Sequence, residues 1–154
     1  MKTSKNMIGA AGEYYVCAEL CRQNILALPT PKNNPIFDLL ASDPEGKKTV
    51  AIQVKTMSLE NNQGWRLGVD MENDRNNPNL FIVLVNMQKD GTNDYYIFQH
   101  DDFSARVRGS YRNYLETPKK NGDPRKEVNF RWFDFSCFNE ADKNRKNNWS
   151  ILGF

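Results

Sequence analysis

One histidine, His100, is all that the 154 residues contain. A histidine-rich zinc centre is therefore excluded, and a Ser-His-Asp arrangement has no ordered context in the sequence. Three cysteines, an odd number, give no disulfide framework, and Cys17 and Cys21 stand four apart, at helical rather than CxxC spacing. They read as helix-packing residues. Long apolar runs are missing too: Leu80 to Val85 is the longest, far short of the roughly 20 residues that cross a bilayer. Met1 to Asn6 is polar and the following stretch amphipathic, so no signal peptide is expected and a cytoplasmic protein is the default reading. Neither a Walker A loop nor a GxGxxG after a strand occurs, which removes the common nucleotide-binding signals.

What is present supports one ordinary core. With 39% apolar and 12% aromatic residues, the chain is most simply a single domain, with a core over about 7–115 and a basic extension over about 116–154. Net charge is only +2, but its distribution is uneven: 10 basic against 13 acidic residues up to Phe103, and 11 against 6 from Ser104 onward. That basic third includes Arg106, Arg108, Arg112, Lys119, Lys120, Arg125, Lys126 and Arg131, with Lys143, Arg145 and Lys146 at the end. It can lie along a phosphate backbone or simply be a solvated surface. Tyr111, Tyr114, Phe130, Trp132 and Phe135 interleave with these charges, and packing is the more frequent role for such aromatics than base stacking.

Hydrophobic periodicity predicts a helix over 7–23, with Ile8, Ala11, Tyr15, Ala18 or Glu19, and Arg22 on a stripe that Val16 and Leu20 widen, and with Ser4 as N-cap. Gly9 and Gly12 weaken its first turns by something on the order of 1 kcal/mol each. Alternatively, they let another backbone or a phosphate come close. Strands are expected over Asn24–Leu28, Ile36–Ala41, Val50–Lys55, Trp65–Val69, Leu80–Asn86, Asp94–Phe98 and Asn129–Phe133, as a meander with a leading helix. Asp101 or Asp102 is expected to cap a short helix over Phe103–Arg108, with Ser110–Leu115 as its broken continuation. A polar helix is expected over Asn139–Trp149, and a mobile loop over Pro118–Pro124. The architecture is α/β, a sheet of about five strands with helices at its start and end.

The chemistry concentrates in one hairpin. Asp38 sits in an apolar segment, a Pro-Glu-Gly turn follows at 44–46, and the next strand carries Gln53, Val54 and Lys55. Side chains alternate along a strand, so Gln53 and Lys55 share one face while Ile52 and Val54 bury the other. An acid inside an apolar strand is costly to bury without a cation for a partner. Asp38 can supply a carboxylate to a divalent ion, Gln53 an amide oxygen and Val54 its main-chain carbonyl. Lys55 can orient the attacking water and offset charge developing on a phosphoryl group. Glu13, if its helix packs against the sheet edge, can hold a metal-bound water or a second ion. The plain alternative is an Asp38–Lys55 cross-strand salt bridge.

Gly9-Ala10-Ala11-Gly12-Glu13, the helix to Arg22, Ile36-Phe37-Asp38-Leu39 and Ile52-Gln53-Val54-Lys55 resemble the PD-(D/E)XK nuclease superfamily over roughly residues 8–56. The resemblance implies a restriction endonuclease-like αβββαβ core with a mixed central sheet. It also implies magnesium- or manganese-dependent cleavage of DNA and frequent homodimers. It gives Asp38 the metal role, Lys55 the catalytic lysine role and Glu13 the helical-acid role. The departure is Gln53, where the pattern usually carries Asp or Glu. Two functional expectations follow: a small metal-dependent DNA endonuclease whose basic residues Arg108, Arg112, Lys119, Lys120 and Arg131 hold the substrate, or a nuclease-fold module that binds nucleic acid or protein without cleaving.

Overall fold

The structure is a computed structural model that describes residues 4–32, 34–57 and 63–154. Helix α1 (Lys5–Arg22) begins where expected, with the Ser4 hydroxyl accepting the Met7 amide at 3.3 Å. Its buried stripe is Ile8, Gly12, Val16, Cys17 and Leu20. This is rotated from the expected one: Tyr15 is 40% exposed and Ala18 faces solvent, and of the two cysteines only Cys17 packs, Cys21 being exposed. Gly12 explains the rotation. Any side chain there would collide with Thr56 Oγ1, so the absent Cβ is what lets the helix lie directly on the sheet.

That sheet has five strands in the order β1 (Leu26–Pro29), β2 (Leu39–Ser42), β3 (Thr49–Met57), β5 (Leu80–Met87) and β6 (Asn93–Gln99). All neighbours are antiparallel except β3 and β5, which run parallel with Gln53 opposite Ile82 and Lys55 opposite Leu84. The chain is thus not the simple meander expected from the strand pattern. Trp65–Leu67 forms a strand, β4, but outside the main sheet: it pairs with β7 (Arg131–Phe133) in a two-stranded ribbon. The passage from β3 to β5 runs through β4 and a 3-10 turn over Val69–Glu72. Trp65 anchors that ribbon by donating its indole N–H to the Val85 carbonyl at 3.0 Å from a fully buried position.

Strand β5 is buried on both faces, and its alternation splits the core in two. Phe81, Val83 and Val85 pack with Ile52, Val54 and the α1 stripe. Ile82 and Leu84 pack on the other side with Trp65, Phe98, Phe103 and Phe133. The second layer is led by α2 (His100–Glu116), one unbroken helix where two short pieces were expected. Gln99, not an aspartate, caps it, its side-chain oxygen accepting the Asp101 and Asp102 amides at 2.8 and 3.1 Å. Asp101 turns away to hold the Arg75 and Asn76 amides at 2.7 and 2.9 Å. His100 is buried, and burial lowers its pKa; Asp101 and Ser104 both approach the same ring nitrogen, Nδ1, which is cap packing rather than a relay.

A few residues of the C-terminal stretch are buried: Arg131, Phe133, Asp142, Trp149 and Leu152. The expected polar helix over Asn139–Trp149 is replaced by 3-10 turns at Glu140–Arg145 and Trp149–Leu152, separated where Asn147 takes φ 54°. Trp149 and Leu152 pack into the α1-side core, and buried Asp142 bridges Arg106 at 2.7 Å and Arg145 at 3.0 Å. The Pro118–Pro124 segment is exposed but closed by turns, with Lys119 and Asp123 bonded through their backbones at 2.9 Å. Among the described residues no helix is long and apolar enough to cross a membrane.

Candidate functional site

Asp38 lies one residue before β2, at the end of a loop whose Asn33 falls outside the described residues. Its main chain is fixed: the Asp38 amide donates to the Ile52 carbonyl at 2.9 Å, and its carbonyl accepts the Thr30 amide at 2.8 Å and hydroxyl at 3.0 Å. Beyond this point the β2–β3 ladder stops. The amides of Ile36 and Phe37, which would extend it, instead donate to the Asn34 side-chain oxygen at 3.0 and 3.4 Å. The Val54 amide, left without its strand partner, donates to Asp38 Oδ2 at 2.7 Å. The two strands therefore part at the aspartate, and the Val54 carbonyl faces the gap.

The β2–β3 pairing ends at Leu39 and Ile52, and Asp38 just beyond it bonds the residues on either side of Gln53, through its amide to the Ile52 carbonyl and through Oδ2 to the Val54 amide. Gln53 is buried at 9% exposure, and Lys55, two residues on and on the same strand face, is half-buried. Glu13 reaches the same region from α1. Its carboxyl titrates above the usual range, first because of burial, then because the Asp38 carboxylate lies near it; Lys32 and Lys55 act in the opposite direction. One acid and two lysines, Asp38, Lys32 and Lys55, thus all act on the Glu13 carboxyl. Asp38, Glu13 and Lys55 form no salt bridge among the described residues. The closed Asp38–Lys55 pair considered as the plain alternative is not formed.

The cleft beside them, of about 420 Å³, is lined by Glu13 and Asp38 with Lys5, Gly9, Lys32 and Asn34. Sequence reasoning passed over Lys5, Lys32 and Asn34. Their signal was faint, an isolated lysine near each edge of the motif and an Asn in a Pro-rich loop. No group of three or more His, Cys, Asp or Glu gathers among the described residues. The oxygen donors are the Asp38 and Glu13 carboxylates, the Gln53 amide and the Val54 carbonyl, which are ligand types that a hard divalent cation takes together with waters.

The basic residues divide. Arg131 is 8% exposed, bonded to Glu72 at 2.6 Å and to the Val128 and Phe130 carbonyls, with its guanidinium 3.4 Å from the Tyr111 ring centroid. It ties β7 to the fold and has no face left for a phosphate, which corrects the expectation for it. Arg108 is likewise engaged, with Asp74 at 2.8 Å and the Glu72 carbonyl. Arg112, Lys119 and Lys120 are exposed and form no salt bridge among the described residues.

No protein-family model matches the chain, and no curated protein matches its sequence. Among solved structures it is similar to a bacterial homing endonuclease, I-Ssp6803I, with a TM-score of 0.56 at 13% identity over 97% of this chain and 93% of that one. A second match, the Holliday junction resolvase Hjc of Archaeoglobus fulgidus, has a TM-score of 0.45 at 13% identity over 84% and 86% of the two chains. The fold is the restriction endonuclease-like α/β fold: a mixed five-stranded sheet flanked by helices.

Proposed function

We propose that this chain is a metal-dependent DNA endonuclease that hydrolyses phosphodiester bonds at the point where β2 and β3 separate. The observation that carries this reading is that two carboxylates, Glu13 and Asp38, line one cleft with no salt bridge to either among the described residues, and that Lys55 acts on Glu13 from beyond the cleft lining. Burial and the nearby Asp38 carboxylate raise the proton affinity of Glu13, an arrangement that a divalent ion relieves. The fold shared with a homing endonuclease supports the same reading.

In this mechanism Asp38, with Oδ2 steadied by the Val54 amide, would be the principal carboxylate holding magnesium or manganese. Gln53, the Val54 carbonyl and Glu13 complete the protein's share of donors. The ion supplies Lewis-acid stabilisation of the phosphoryl charge. Lys55 orients the attacking water and places a positive charge beside the developing negative one. Arg112, Lys119 and Lys120 hold the backbone further out. We read the whole chain as one nuclease unit acting in the cytoplasm, and cleavage of both strands calls for a second copy. Nicking of supercoiled plasmid in magnesium or manganese tests the reading: the wild type nicks, Lys55→Ala does not, and a silent wild type rejects it.

A second reading is favoured by one residue. Gln53 brings a neutral oxygen to the position where an acid would strengthen the ion's hold, so a chain that binds DNA without cutting is the alternative.

A further inference from the structure

The cleft does not end at the carboxylates. Lys5, Asn6, Gly9, Ala10 and Glu13 all line it, which at spacings of three and four residues is a single stripe along α1. At a rise of 1.5 Å per residue, Lys5 lies about 12 Å along the helix from Glu13. The opposite wall is the loop carrying Thr30, Lys32 and Asn34. The two ends of the cleft differ: Glu13 and Asp38 mark the inner end and Lys5 the outer, while Lys32 on the loop wall is near enough to Glu13 to lower its proton affinity. Neither lysine forms a salt bridge among the described residues.

Two details of the walls stand without an internal purpose. Gly9 sits in the helix with nothing within 4 Å of where a Cβ would project, so packing does not require a glycine there. The contrast is Gly12, whose place is dictated by Thr56. Asn34 uses its oxygen to hold the Ile36 and Phe37 amides, and its Nδ2 group meets no acceptor among the described residues. A smooth helical wall, an amide donor and two unpaired lysines suit an anion in the outer half. The inner half, with its two acids, repels one unless a cation intervenes.

We infer that the outer half is a second phosphate subsite, in which Lys5 and Lys32, with Asn34, hold a backbone phosphate of the same DNA strand whose cleaved bond faces Asp38 and Lys55. The identification of the cleaved bond rests on the nuclease reading; the phosphate subsite does not. The lysines set the register of the strand, so that a cation and the reacting phosphate meet in the inner half.

The test is fluorescence-anisotropy binding of labelled duplex DNA in calcium across a salt series, comparing wild type with Lys5→Gln/Lys32→Gln. A second pair, Lys47→Gln/Lys89→Gln, removes two exposed lysines from distant turns as a control. Each lost phosphate contact lowers the slope of log K against log salt by about 1. The expected result is a slope smaller by about 2 in the Lys5/Lys32 variant, with at least about tenfold weaker binding at low salt and no change in the control. An unchanged slope, or an equal loss in the control, overturns the subsite. Thermal melting of the variants confirms that they fold, and Lys32→Gln alone, which leaves α1 untouched, must lower the slope by about 1. A wild type that fails to cut in magnesium while this slope difference persists rejects the nuclease reading and leaves the subsite standing. A wild type that cuts, with a variant of wild-type slope, does the reverse.

Discussion

Asp38 Oδ2 accepts the Val54 amide at 2.7 Å, a side chain standing in for the backbone where β2 leaves β3. One carboxylate therefore has two tasks, closing the sheet through Oδ2 and lining the cleft. Asp38→Asn separates them. An amide oxygen can still accept from Val54, so unfolding by urea should show a loss of about 1 kcal/mol or less, the difference between a charged and a neutral hydrogen bond. DNA cleavage should nevertheless disappear, since the substitution removes the charged ligand and a neutral amide holds a hard cation more weakly than a carboxylate.

Glu13 trades stability for its position. Its folded pKa is raised by burial and by Asp38, so the folded state takes up a proton more readily than the unfolded chain. Protonation therefore stabilises the fold: this contribution is complete below the unfolded value of 4.5 and is lost as pH rises through the higher folded value. Glu13→Gln should melt higher than wild type at pH 7, by something on the order of 2 °C, and the gain should vanish near pH 4. A variant that melts no higher at pH 7 would place Glu13 outside that field.

Arg131 belongs to stability rather than to DNA. Removing it leaves Glu72 and the Tyr111 ring face without their partner in a mostly buried setting, a change worth about 3 kcal/mol by urea unfolding. The salt slope of DNA binding should not move. Arg112→Ala should do the opposite, with wild-type stability and a slope lower by about 1.

In the proposed mechanism Gln53 is a neutral donor to the ion. Gln53→Glu adds a buried charge between the two residues that Asp38 bonds, so the variant should melt below wild type in EDTA. Magnesium should then raise its melting temperature more than it raises that of the wild type, because a tighter ligand contributes more through mass action. Equal magnesium shifts in the two proteins would remove Gln53 from the ligand set.

Much of this was legible in the chain, and the misses have physical causes. The helix start at Ser4, the Asp38 to Lys55 hairpin and the doubly buried β5 follow from capping, turn and periodicity signals that act locally. The partner of Trp65–Leu67 was not legible, because β7 lies more than sixty residues away and pairing across that distance leaves no mark in either segment. A helix over Phe103–Arg108 with a broken continuation at Ser110–Leu115 was expected, yet α2 runs unbroken, with Phe103 and Val107 buried and holding it. Arg131 resembled its exposed neighbours in sequence. Only the fold brings Glu72 beside it. At the site, Asp38 and Lys55 were visible as a motif, whereas Lys5 and Lys32 needed the α1 wall and the Pro-rich loop to be brought face to face.

The central claim is that the gap between β2 and β3 cuts DNA, and single-turnover cleavage of a labelled DNA by wild type and Asp38→Ala tests it most directly. With enzyme in excess and magnesium or manganese present, the account predicts cleavage by the wild type, abolished by EDTA and reduced at least about 100-fold in the variant while binding persists. Equal rates in the two proteins, or binding without cleavage by either, would contradict it.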